Sequence, residues 1–112
     1  MRAGLQTTLS CSHSLQGHGL CENFHGHSYR IELLWSWPLE RGAGTDLAGT
    51  RQRLMALLGR FDHKNLNTML EFSSCENFCR MIFSELKSAE PRLLWLKVWE
   101  GEGKWAEWDG LG

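Results

Sequence analysis

Apolar and polar residues alternate with a period of two near both ends of this chain and follow a helical period through its middle. Thr7, Leu9 and Cys11 alternate against Thr8, Ser10 and Ser12, which predicts a strand over Gln6–His13. Gln16-Gly17-His18-Gly19 reads as a loop. From Phe24 to Trp37 the period is again two: His25, His27, Tyr29, Ile31, Leu33, Trp35 and Trp37 share one face. Gly26, Ser28, Arg30, Glu32, Leu34 and Ser36 take the other. Pro38 ends that strand, and Gly42-Ala43-Gly44 makes the turn.

Thr45 or Asp46 is placed to cap a helix that starts at Leu47, with Leu47, Leu54, Met55, Leu57, Leu58 and Phe61 at helical spacing. A polar connection runs from Asp62 to Met69. Ser73-Ser74-Cys75-Glu76 has the capping-box form, a hydroxyl residue followed three later by Glu. It opens a second helix with Phe78, Ile82, Phe83 and Leu86 inward and Pro91 beyond its end. Arg92–Glu100 is a strand rich in Leu, Val and Trp, Gly101-Glu102-Gly103 a hairpin loop, and Lys104–Trp108 the returning strand. The order strand, strand, helix, helix, strand, strand predicts an α+β sheet with both helices on one face.

At 112 residues the chain has room for one domain, spanning 1–112. Twelve Lys and Arg against thirteen Asp and Glu leave a formal charge of −1, without the basic excess of a nucleic-acid binder. No apolar run approaches the roughly 20 residues that span a bilayer. The first fifteen residues also lack an apolar stretch long enough for a signal peptide, so a cytoplasmic location is expected. With no secretory context, Cys11, Cys21, Cys75 and Cys79 are expected as reduced thiols. Cys75 and Cys79 fall on one helix face as small buried residues. Six Trp, several of them at alternating strand positions, exceed what a small sheet can hide by itself. Self-association is the way to cover the remainder.

The chemistry concentrates at His25-Gly26-His27. In a strand, residues i and i+2 project from the same face, so two imidazoles stand side by side. His13, where the preceding strand runs out, supplies a third. Three neutral imidazoles and one open position suit a catalytic zinc rather than a closed structural site. A His-x-His pair alone fits solvated strand histidines as well. Cys21 reads either as a buried loop thiol or as a proton-abstracting thiolate whose pKa a nearby cation lowers. Asp62-His63 reads as a polar turn or as an oriented acid–base pair. Glu76 has the capping box as its simplest explanation.

Taken together, Ser12-His13 followed by Cys21-Glu22-Asn23-Phe24-His25-Gly26-His27-Ser28-Tyr29 resembles the 6-pyruvoyltetrahydropterin and 6-carboxytetrahydropterin synthase family. Phe61-Asp62-His63-Lys64-Asn65-Leu66-Asn67, Ser73-Ser74-Cys75-Glu76-Asn77 and Val98-Trp99-Glu100 continue the likeness in the family's order. Ser73-Ser74 stands where Pro-Thr is usual.

The resemblance implies the tunnelling fold: a four-stranded antiparallel sheet, ββααββ, whose subunits join into a barrel, commonly as a hexamer with active sites at subunit contacts. It implies zinc held by His13, His25 and His27, Cys21 as general base, and Asp62 with His63 as partner dyad. Glu100, with Glu76 and Ser74, would anchor the pterin, because a carboxylate accepts paired hydrogen bonds from a guanidine-like edge. Lys64 and Arg30 are candidates for the triphosphate.

The short Cys-x-x-x-His-Gly-His spacing looks like the branch that converts 7,8-dihydroneopterin triphosphate to 6-carboxy-5,6,7,8-tetrahydropterin. That reaction releases acetaldehyde and triphosphate on the route to queuosine. The pyruvoyl-forming branch typically has a longer gap, and 6-pyruvoyltetrahydropterin formation stays open as an alternative. Glu22 beside Cys21 resembles a dual-motif group and keeps open a side-chain cleavage to 6-hydroxymethyl-dihydropterin for folate. A non-catalytic pterin- or metal-binding relative is the alternative outside enzymology.

Overall fold

The structure is a computed structural model that describes residues 1–15, 17, 19, 23–37 and 47–111. Its elements are β1 (Arg2–His13), β2 (His25–Ser36), α1 (Leu47–Gly59), β3 (Lys64–Asn65), α2 (Cys75–Ala89), β4 (Leu93–Glu100) and β5 (Trp105–Trp108). A short 3-10 turn over Leu66–Thr68 follows β3. The sheet order is β3-β1-β2-β4-β5. The β1–β2, β2–β4 and β4–β5 pairs are antiparallel and β1–β3 is parallel. The α+β arrangement of two helices and the four expected strands is therefore present, with one strand more. Lys64–Asn65, expected within a polar connection, pairs with Cys11 and Ser12 of β1. No helix of the described residues is long and apolar enough to cross a membrane.

The period-two reading of β2 holds along its length. Tyr29, Ile31, Leu33 and Trp35 are at most 1% exposed. They face the helices, while Arg30, Glu32 and Leu34 lie on the far side. β1 begins at Arg2, four residues before the expected start, because Ala3 and Leu5 continue its inward face opposite Trp35 and Leu33. From α2, Phe78, Cys79, Ile82, Phe83 and Leu86 enter the same core. Burying each large apolar side chain there contributes about 1.5–3 kcal/mol. From α1, Leu54 and Leu58 are buried with Thr50, whereas Leu47, expected inward, is exposed. The expected cap at Thr45 or Asp46 lies outside the described residues, as do Pro38 and the Gly42-Ala43-Gly44 turn.

The second helix begins one residue away from the expected box. Ser74 is the N-cap, its Oγ accepting from the Asn77 N–H at 3.2 Å. Ser73 is fully buried beneath it. Glu76 thus stands in the first helical turn without the box geometry that would explain it.

Candidate active site

Strand register assembles the three imidazoles. His13 ends β1 directly opposite His25, and Cys11 lies opposite His27. His13 and His25 thus form a cross-strand pair and His27 stands one step along the same face. The ring centroids are 4.6 Å (His13–His25), 4.6 Å (His25–His27) and 5.0 Å (His13–His27) apart, with each pair of rings steeply inclined. One donor atom from each falls within 4.8 Å of the others.

Hydrogen bonds at the opposite ring edges orient two of the rings. His13 Nδ1 donates to the Ser73 carbonyl at 2.7 Å, and His25 Nδ1 to the Asn23 carbonyl at 2.5 Å. A neutral ring that donates from Nδ1 carries its lone pair on Nε2. Yet the two Nε2 atoms are 3.1 Å apart. With both Nδ1–H groups committed, that spacing suits a shared proton or a metal ion between the two Nε2 atoms. Nitrogens bound to one tetrahedral zinc stand about 3.3 Å apart, close to the His13–His25 separation. His27 Nε2 is buried with no hydrogen-bond partner among the described residues. Burial also pulls His27 toward its neutral form, against the opposing charge of Glu100. The residues fit a divalent metal, and the carbonyls behind His13 and His25 are the usual second support for such ligands.

Glu100 closes one side of this cage. It ends β4 on the core face and is 5% exposed. Its Oε1 lies 3.7 Å from His27 Nε2 and accepts from Lys104 Nζ at 2.9 Å. Its Oε2 lies 4.0 Å from His13 Nε2 and accepts from the Tyr29 hydroxyl at 3.2 Å. Burial works to raise this carboxyl, but the Lys104 hydrogen bond and nearby positive charge outweigh it and hold it below the usual carboxylate range. A cavity of about 270 Å³ opens beside it, lined by Ser74, Glu76, Glu100, Lys104, Phe72 and Leu15. The fold thus brings Ser74, Glu76 and Glu100 together around one hollow next to the three histidines.

Asp62 and His63 are placed differently. The Asp62 Oδ1 accepts from the Ser10 N–H at 2.8 Å, and the His63 N–H donates to the Ser10 carbonyl at 2.6 Å. His63 Nε2 is 3.5 Å from Asp62 Oδ2, so the pair exists. His63 holds a left-handed backbone at φ 58°, uncommon for a residue with a side chain. With Lys64 it rims an open cavity of about 440 Å³ that Cys11 and His27 also line and that is floored by Ser10, Ser12, Gly26 and Ser28. Those floor residues belong to the sheet face opposite the imidazoles. Arg30, on that face too, lies over the Trp99 ring at 4.4 Å and near Glu32.

Cys21 and Glu22 lie outside the described residues, as does His18. Cys11, Cys75 and Cys79 are free thiols and buried. Burial, reinforced by Asp62, pushes the Cys11 thiol up to about 11. Cys75 and Cys79 rise to about 12, burial leading in each. None of these three is an activated thiolate.

Sequence reasoning missed Tyr29 and Lys104 as site residues. Tyr29 carried a signal, since it continues the His25–His27 face. Lys104 carried only its spacing of four from Glu100, which becomes contact once a hairpin intervenes.

A five-stranded sheet backed by two helices, bearing a three-histidine cage beside a carboxylate-lined hollow, defines a metal-site protein of the α+β class. The family model for 6-pyruvoyl tetrahydropterin synthase matches residues 4–110. The chain belongs to that family. A relative from Archaeoglobus fulgidus, provisionally named a 6-carboxy-5,6,7,8-tetrahydropterin synthase, is 35% identical over 108 residues, covering 96% of this chain and 94% of its own. The 6-pyruvoyl tetrahydrobiopterin synthase of Drosophila melanogaster is 32% identical over 78% of this chain and 59% of its own. The dihydroneopterin monophosphate aldolase of Pyrococcus furiosus is 26% identical, covering 78% of this chain and 81% of its own. Among solved structures, Caenorhabditis elegans 6-pyruvoyl tetrahydropterin synthase superposes with a TM-score of 0.85 at 22% identity, covering 98% of this chain and 95% of that one. The relatives named tetrahydropterin synthases are lyases, and the chain is an enzyme of that kind.

Proposed function

We propose that this protein is a zinc-dependent lyase that converts 7,8-dihydroneopterin triphosphate and water to 6-carboxy-5,6,7,8-tetrahydropterin, acetaldehyde and triphosphate. The observation that carries the reading is the three-histidine cage abutting a hollow lined by Ser74, Glu76 and Glu100. Identity with the Archaeoglobus protein and the Cys-x-x-x-His-Gly-His spacing favour the carboxy product.

His13, His25 and His27 would hold the metal, which when bound supplies Lewis acidity toward the substrate's side-chain hydroxyls. Glu100 accepts from the paired N–H groups of the pterin edge, a task for which an ionised carboxylate is suited. Ser74 and Glu76 complete that anchor. Holding the ring there fixes the side chain against the cage, so its reacting carbons need no search. Cys21 removes a proton from that side chain. His63, oriented by Asp62, is the second proton carrier, and in one chain it opens onto the other face of the sheet. The dyad therefore serves a neighbouring subunit's cage.

The sheet supports such an assembly. β3 covers β1 only at Cys11 and Ser12, and β5 forms the opposite edge. The strand directions alternate from β1 through β2 and β4 to β5, so a neighbour's β1 set beside β5 continues the antiparallel sequence. Head-to-tail pairing of this kind closes a ring and removes the exposed edges.

A second reading is side-chain cleavage to 6-hydroxymethyl-dihydropterin. Glu22 beside Cys21 and the likeness to the Pyrococcus aldolase favour it. Incubating the metal-loaded protein anaerobically with 7,8-dihydroneopterin triphosphate, and separately with the monophosphate, separates the two by the mass of the pterin formed. The carboxy product, lost in Cys21→Ala with metal content retained, is expected. A hydroxymethyl product abolished by Glu22→Ala would establish the cleavage reading instead.

A further inference from the structure

Glu100 sits where two uses of one carboxylate compete. Three imidazoles with a carboxylate make a complete tetrahedral set, and a site closed in this way keeps no position for a substrate. The Glu100 oxygens are only 3.7 Å from His27 Nε2 and 4.0 Å from His13 Nε2. Even so, Glu100 stands outside the group of donors that gather within 4.8 Å of one another.

Two contacts account for its position. The Tyr29 hydroxyl, on a fully buried ring, donates to Oε2. The Lys104 ammonium donates to Oε1 at 2.9 Å. Lys104 is brought there by the β4–β5 hairpin: Gly101 and Gly103 take left-handed backbones at φ 66° and 78°, and the Glu100 N–H donates to the Lys104 carbonyl at 2.8 Å. The loop thus returns a cation to the oxygen of the residue it left. Lys104 and Glu100 also line the same hollow. Each carboxylate oxygen has a second acceptor position, which these contacts leave for a ligand in that hollow.

We infer that Lys104 is a positioning residue: with Tyr29 it holds Glu100 off the three-histidine cage, so that the metal's fourth position stays open and the carboxylate remains a receptor for the ligand's N–H edge. The second half rests on the pterin reading above. The first does not.

The test uses cobalt(II)-substituted protein and imidazole at a pH where imidazole is neutral, so that charge does not bias its entry. Wild type is expected to take imidazole with a change in its visible spectrum. In Lys104→Met, Glu100 is an intramolecular competitor present at high effective concentration, so imidazole affinity is expected to fall more than about tenfold. Lys104→Arg should retain wild-type affinity, and Lys104→Met combined with Glu100→Gln should regain it. A crystal structure of zinc-loaded Lys104→Met should place a Glu100 oxygen on the metal. Unchanged imidazole binding in Lys104→Met, a double variant that stays weak, or a wild type that takes no imidazole would each overturn the inference. Failure of unsubstituted pterin to bind wild type would instead strike the pterin reading, leaving the cobalt result to judge Lys104.

Discussion

Glu90 is the second carboxylate that the fold buries, and its surroundings contrast with those of Glu100. At the junction of α2 and β4 it accepts from Arg92 Nε at 2.8 Å and from Arg53 Nη2 at 2.7 Å. The Arg92 hydrogen bond holds this carboxyl below the usual range, against the opposing effect of burial. A carboxyl whose folded pKa is depressed stabilises the fold above its unfolded pKa and loses that contribution as pH falls through the folded value. Both arginines keep much of their surface in water, so Glu90→Gln is expected to cost only about 1–2 kcal/mol at pH 7. The difference should fade below about pH 4. Urea titrations of both proteins at pH 7 and pH 3 check this; an equal gap at both would contradict it. Nothing in the spacing of Arg53, Glu90 and Arg92 announced the cluster, because Arg53 arrives from another helix.

At the scale of elements, the start of α2 shows how one serine was mistaken for the next. Ser-x-x-Glu matches Ser73 and Glu76, yet Ser73 is committed elsewhere: its carbonyl accepts from His13 Nδ1 and its hydroxyl donates to the Ser14 carbonyl. The cap falls to Ser74, and Glu76 is left to face the hollow. Ser74→Ala should therefore lower stability by about 1 kcal/mol. Glu76→Ala should change it by no more than about 0.5 kcal/mol while weakening pterin binding. Chemical denaturation with pterin fluorescence titration measures both, and a large stability loss in Glu76→Ala would restore the capping-box reading. The strand β3 escaped for a related reason. Two polar residues have no periodicity, and Lys64–Asn65 pairs with β1 only because Asp62 and His63 are fastened to Ser10.

For the whole molecule, the face away from the helices and the two sheet edges are what the described residues of one chain leave uncovered. Trp105 is 47% exposed on β5 and Leu94 39% exposed on β4. In the ring proposed above, edge-to-edge closure would bring the part of β1 that β3 leaves unpaired against β5 of the next subunit. Sedimentation at micromolar concentration is expected to give a mass several times 12.9 kDa, in a multiple of three for stacked trimeric rings. A monomer would contradict both the ring and the shared placement of His63.

Residue order alone determined the inward face of β2, the helical face of α2 and the pairing of His25 with His27, because alternation and helical spacing are local properties that burial merely reads out. His13 was reachable too, since a strand that ends just before a loop leaves its last side chain beside its hairpin partner. The tertiary structure decided the rest. Tyr29, Lys104 and Glu100 meet only after a register is set, a hairpin turns and a carboxylate is buried. Likewise, Asp62 and His63 part from the cage only because the sheet has two faces. Contacts between residues far apart in the chain depend on how elements pack, which no local pattern encodes.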